Sequence, residues 1–168
     1  MPEFNAKNAQ CHVFTEKEGL LSAVAHDLEL EVTDFTVTAD DSAVQASFNG
    51  RSLKVVHALK DGRPTSALSE KDKADIVSNI AKDVFKSPDI RFVSTSVTRD
   101  PSGATVAGNL TLNGKTRAVR VVARLQGDSY VAEVALHQPD FGIKPYSAML
   151  GTLKVKPGLK VRVTLPKW

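Results

Sequence analysis

The chain is poor in the residues that announce chemistry. It holds a single cysteine, Cys11, so no internal disulfide can form and no cysteine-rich metal framework exists. It has one tryptophan, aromatic residues make up only 6%, and no residue type repeats enough to form a low-complexity segment. Neither sign of charge dominates. The 22 Lys plus Arg stand against 19 Asp plus Glu, a formal net charge of +3, which lacks the strongly basic footprint of a nucleic-acid binder. No apolar run approaches the roughly 18 residues of a membrane-crossing helix. The first residues lack the basic start and apolar stretch of a secretory leader. As written, the sequence reads as cytoplasmic, or as periplasmic if a leader preceded it, and the compartment stays open.

What is present suffices for one core. The 168 residues, 42% hydrophobic and 24% charged, make one domain's worth of chain, and such a length buries enough surface without staples. Residues 1–168 are therefore expected to form a single domain.

The dominant period is two. Leu28, Leu30 and Val32 alternate with Asp27, Glu29 and Glu31, and the apolar side resumes one step out of phase at Phe35, Val37 and Ala39. The slip at Thr33–Asp34 predicts a bulge, which would help a sheet curl. Val44, Ala46 and Phe48 lead to Asn49–Gly50, read as a hairpin turn into Leu53 and Val55. Further strands follow around Ile90–Ser96, Val106–Leu112, Val119–Leu125, Tyr130–Leu136 and Val161–Leu165, with tight turns at Asn113–Gly114 and Gly127–Asp128. With an opening strand at Cys11–Thr15, about eight strands at this spacing predict an antiparallel sandwich or barrel. The stretches 59–68 and 139–158 read as the longest loops.

One segment departs from this period. From Ser69 to Lys86, Ile76, Val77, Ile80, Ala81 and Val84 recur at helical spacing, Ser69 and Asp72 form a capping-box pattern, and Pro88 follows. One amphipathic helix over a closed sheet is the expectation.

Chemistry is thin. The four histidines, His12, His26, His57 and His137, show no metal-site spacing, and no phosphate loop, nucleophile elbow or paired catalytic carboxylates occur. Cys11 and His12 are neighbours on a strand and point to opposite faces, so they cannot act together. His26 beside Asp27 is either a ligand contact at a cavity mouth or a structural tie. Lys144, Tyr146 and Met149 lie in a basic stretch that is either a lid or a solvated loop. Glu29, Glu31, Arg120 and Arg124 read as outer-face charges.

The runs Asp83–Val97, Gly108–Val121 and His137–Ile143, preceded by Gly19–Val32, resemble in order and spacing the YceI-like family of lipocalin-like, polyisoprenoid-binding proteins. The resemblance covers essentially the whole chain. It implies a mainly β fold, a lipocalin-like antiparallel barrel with one amphipathic helix near its mouth and a long apolar cavity. On the residues themselves, inner-stripe Ala39, Ala46, Ala123, Ala132 and Gly108 leave space for a ligand. An isoprenoid or fatty-acid chain would then contact Leu28, Leu30, Phe35, Phe48, Phe92, Leu110, Val121 and Val134, with its polar end near His26, Lys144 and Tyr146 and with Met149 close by. The expected role is non-catalytic carriage or sequestration of that small apolar ligand, without cofactor, metal or nucleic acid, and a homodimer is compatible with it. The alternative is a packed-core stress-response or protein-interaction module without lipid, and the volume of the interior decides between them.

Overall fold

Alternation decides which side chains meet inside. In β3 (Asp27–Val32) the even-numbered residues are buried and the odd-numbered ones half-exposed, and in β9 (Gly103–Leu112) Val106, Gly108, Leu110 and Leu112 form the buried stripe. The computed structural model describes residues 2–18, 26–83, 86–145, 147–148 and 153–168. Its remaining strands are β1 (Glu3–Asn5), β2 (Gln10–Glu18), β4 (Phe35–Ala39), β5 (Val44–Asn49), β6 (Leu53–Lys60), β7 (Arg63–Thr65), β8 (Asp89–Asp100), β10 (Lys115–Gln126), β11 (Ser129–His137), β12 (Ser147–Ala148) and β13 (Leu153–Pro166).

All the pairings are antiparallel, in the order β1-β4-β5-β8-β9-β10-β11-β13-β2-β3-β6-β7, with β12 added to β13. The order returns on itself. β3 and β4 are one run of chain interrupted at Thr33–Asp34, and β5 and β6 are one run interrupted at Gly50–Ser52. Counted so, the described residues give eight long strands curled into an antiparallel barrel, because β4 pairs β5 while its continuation β3 pairs β2.

Two local expectations change here. Thr33–Asp34 is not a bulge within one ladder but a corner at which the strand changes neighbours. Asn49–Gly50 is not a hairpin turn, since β5 and β6 pair with β4 and β3 rather than with each other. A two-residue hairpin turn of the Asn-Gly type needs positive φ, but Asn49 has φ −98° and its side chain accepts from Arg51 N, capping a short 3-10 turn. The two corners face each other. Ser52 Oγ accepts from Thr33 N at 3.2 Å and Asp34 N at 3.0 Å, and Thr33 Oγ1 donates to Ser52 O at 2.8 Å. The turn at Asn113–Gly114 does have the expected geometry, with φ 55° and 77°.

The helix α1 (Glu70–Asp83) starts where the capping box places it. Ser69 Oγ accepts from Asp72 N at 3.1 Å, and Asp72 Oδ2 accepts from Ser69 N at 3.0 Å. Ile76, Val77 and Ile80 pack on Leu28, Leu30 and Val55, so the helix covers the end of the barrel where β3 begins. Ala81 is exposed, and Val84 lies outside the described residues. The expected loops are shorter than read: β7 pairs with β6, and β13 already begins at Leu153. Its ladder to β2 skips from Val155 to Leu159, so Pro157 falls in the irregularity, where no ladder hydrogen bond is asked of it.

Candidate functional site

The interior of the barrel is not filled by its own side chains. A cavity of about 530 Å³ runs inside it, lined almost wholly by aliphatic and aromatic residues from the strands and by Ile76, Asn79 and Ile80 of α1. Ala39, Ala46, Ala123 and Ala132 are among the residues that line it. Gly108 does not contribute space as the sequence suggested. A Cβ there would come within 2.6 Å of Phe92 Cζ and 2.5 Å of Val93 O, so the ring of Phe92 already occupies that room.

At the end away from α1, Trp168 lines the cavity and packs against Tyr130 at 4.5 Å and Phe4 at 5.8 Å between ring centroids. The Arg99 guanidinium lies 5.0 Å from the Trp168 ring and donates to Tyr130 Oη at 2.8 Å. At the α1 end the lining turns polar, with His26, Asn79, Thr15 and Gln138. Gln138 Nε2 donates to Lys156 O at 3.1 Å, whereas Thr15 Oγ1 is buried without a partner.

Of the residues expected at the site, His26, Leu28, Leu30, Phe48, Phe92, Leu110, Val121 and Val134 line this cavity. Phe35 sits outside the lining: just past the corner, its ring stacks on Phe48 at 5.8 Å and joins the core around Phe4, Cys11 and Val37. Lys144 is exposed and away from the lining. Tyr146 and Met149 lie outside the described residues. Lys17 was not singled out, although the alternation Cys11, Val13, Thr15, Lys17 places it on the inner side of β2.

Cys11 lines the cavity and is 1% exposed. Burial, helped by the charge of Glu31, pushes its thiol up to about 12, which leaves almost no thiolate at neutral pH. On the outer face, Glu29 stands between two imidazoles, with His12 Nδ1 at 3.3 Å from one carboxylate oxygen and His57 Nε2 at 3.2 Å from the other. The two histidines come from the strands on either side of β3, so they flank the carboxylate rather than share a point. Among the described residues no group of three or more His, Cys, Asp or Glu is arranged to hold a metal ion, and no described helix is long and apolar enough to cross a membrane.

Known proteins share this architecture. The chain is similar to a UPF0312 protein of Pseudomonas aeruginosa, 33% identical over 111 residues, which are 60% of this chain and 52% of that protein. It is similar to a UPF0312 protein of Pseudomonas putida, 38% identical over 112 residues, 60% of this chain and 57% of that one. The chain thus spans somewhat over half the length of the curated relatives it matches. Among solved structures it is similar to Burkholderia cenocepacia BcnA, with a TM-score of 0.64 at 13% identity over 95% of this chain and 96% of that one. It is also similar to a Campylobacter jejuni YCEI protein, with a TM-score of 0.55 at 14% identity over 84% and 85%. At those identities the likeness speaks for the fold, and the family follows from the sequence model of the YceI-like domain, which matches residues 4–166. With nearly its whole length under that model and its strands curled around an apolar interior, the chain belongs to the YceI-like family.

Proposed function

We propose that the protein is a non-catalytic carrier or sequestering protein that holds one apolar chain, of isoprenoid or fatty-acid type, in the barrel. The observation that carries this reading is the unfilled cavity of about 530 Å³. At about 30 Å³ per chain atom, the share one water takes in the liquid, it accommodates roughly 18 atoms. Burying each methylene stabilises the complex by about 0.8 kcal/mol, so some sixteen of them contribute about 13 kcal/mol. After an association cost of at least several kcal/mol, about 8 kcal/mol corresponds to micromolar binding. The lining supports carriage rather than turnover, because its thiol is pushed up to about 12 and Asp27, the neighbour of His26, has Oδ1 engaged by Lys17 N at 2.8 Å. A packed-core module has no need of such a void.

Trp168, the one tryptophan of the chain, lines the cavity and so reports on its occupancy. Titration with hexadecanoate or geranylgeraniol is expected to change its emission with a micromolar midpoint at one-to-one stoichiometry. Protein purified from its native cells is expected to release a stoichiometric lipid on extraction. Silence in both measurements overturns the carrier reading.

A further inference from the structure

A chain lying in the cavity ends at the α1 side, where the polar lining gathers: His26 just before β3, Asn79 of α1, and Thr15 with its unpartnered hydroxyl. Lys17 is not among the lining side chains, but its backbone stands at the same end of the barrel. It is the cross-strand partner of Val155, whose side chain lines the cavity. Residues directly opposite in an antiparallel pair share a face, so Lys17 leaves β2 on the inner side, two residues above Thr15. It is half-buried between the exposed Glu16 and Glu18. Its backbone N–H donates to Asp27 Oδ1 at 2.8 Å, which fixes this end of β2 beside His26.

Two of the charges near it have partners of their own, while the carboxylates of Asp27 and Glu18 act on Lys156 from the same end. Lys156, which follows Val155, is held by Glu16 at 2.8 Å. Asp72 of α1, close enough to His26 to sense its charge, is bonded to Ser69. Among the described residues the ammonium of Lys17 has no ion-pair partner. An ammonium, an imidazole and a carboxamide around the mouth of an apolar cavity supply what an anionic oxygen head requires: hydrogen-bond donors, one of them charged, at the boundary with water. Drawn further inside, the same head would lose its hydration among aliphatic side chains at a cost of several kcal/mol.

We propose that Lys17, His26 and Asn79 form a subsite for the anionic head, a carboxylate or a phosphate monoester, of an amphipathic ligand whose chain runs down the barrel. The subsite rests on the carrier reading and names the class of ligand within it. Calorimetric titration with hexadecanoate, hexadecyl phosphate and hexadecanol separates the cases. At least one anion is expected to bind ten times or more tighter than the alcohol, and the better anion identifies the head. Lys17→Met is expected to remove that preference without weakening the alcohol, and Lys17→Arg to keep it. Alcohol binding equal to both anions, or a loss in Lys17→Met shared by all three ligands, overturns the subsite and leaves the carrier reading intact. No binding of any of the three overturns both.

Discussion

The ring of Phe92 fills the space that a side chain on Gly108 would need, with Phe92 Cζ at 2.6 Å from where that Cβ would be. The strands carrying the two residues are neighbours, and the backbone oxygen of Val93 closes the same space at 2.5 Å. Gly108→Ala therefore forces both the ring and the β8–β9 ladder to move. The variant is expected to be less stable by about 1–3 kcal/mol, the usual cost of overpacking. Urea unfolding would show this as a lower midpoint at an unchanged slope. A midpoint equal to wild type would mean that the ring and the β8–β9 ladder both shift at no cost.

This pair also marks how far the sequence could be read. Which residues face inward follows from alternation, and the inward stripes of β3, β9 and β13 stand where the period of two puts them. How much room a stripe leaves is set by the neighbouring strand, and nothing around Gly108 in the sequence says that Phe92 leans over it. The corners were legible as breaks but not as corners. Asn49–Gly50 is a strong hairpin signal only if the flanking strands pair with each other, and that choice of partner is made by contacts far along the chain. Phe35 does face inward beside its cross-strand partner Phe48, but its ring packs on Phe48 and the core next to the corner instead of reaching the cavity. The capping box of α1 depends on residues three apart and was fully legible.

Ala132 lies midway along the barrel, opposite Ala123 on one side and Val163 on the other, and lines the cavity. In Ala132→Phe the added ring enters empty space rather than a packed core. Stability is expected to hold or rise slightly, because cavity filling adds contacts without strain. Affinity for hexadecanoate is expected to fall at least tenfold. Calorimetry and urea unfolding on one preparation test the pair of outcomes, and an unchanged affinity would show that a bound chain does not pass Ala132.

Ser52 Oγ is the shared acceptor for the backbone N–H groups of Thr33 and Asp34, and it donates to Asn49 O at 2.7 Å. Thr33 N also reaches Ser52 O at 3.3 Å, whereas Asp34 N depends more on the hydroxyl. Ser52→Ala is expected to cost about 0.5–1.5 kcal/mol, the net worth of one hydrogen bond, because the Asp34 amide that loses its acceptor is exposed to water. Faster hydrogen exchange at Asp34 than at Thr33 would locate the loss. Equal protection of both amides, at wild-type stability, would show that water or another group replaces the hydroxyl.

Asp72 closes the capping box of α1, and its carboxyl is held below its ordinary value near 3.8 chiefly by hydrogen bonds from Ser69. A carboxyl lowered on folding binds its proton more weakly in the native state than in the unfolded one. Its stabilising contribution is therefore complete above the unfolded value and is lost as pH falls through the lower native value. Asp72→Asn removes that titration and keeps an acceptor for Ser69 N. The wild type is expected to be more stable than the variant near pH 6, and the gap to close as pH falls below the ordinary carboxyl value of 3.8. Asp40, Asp100 and Glu133 are lowered in the same direction, the first two mainly by bonds from Ser42 and Ser102 and the third by Arg162, so acid weakens the wild type and the variant together. The test is the difference between the two urea midpoints measured across that range. Parallel curves, with no convergence at low pH, would show that the carboxylate of Asp72 contributes nothing as a charge to holding the helix over the mouth of the barrel.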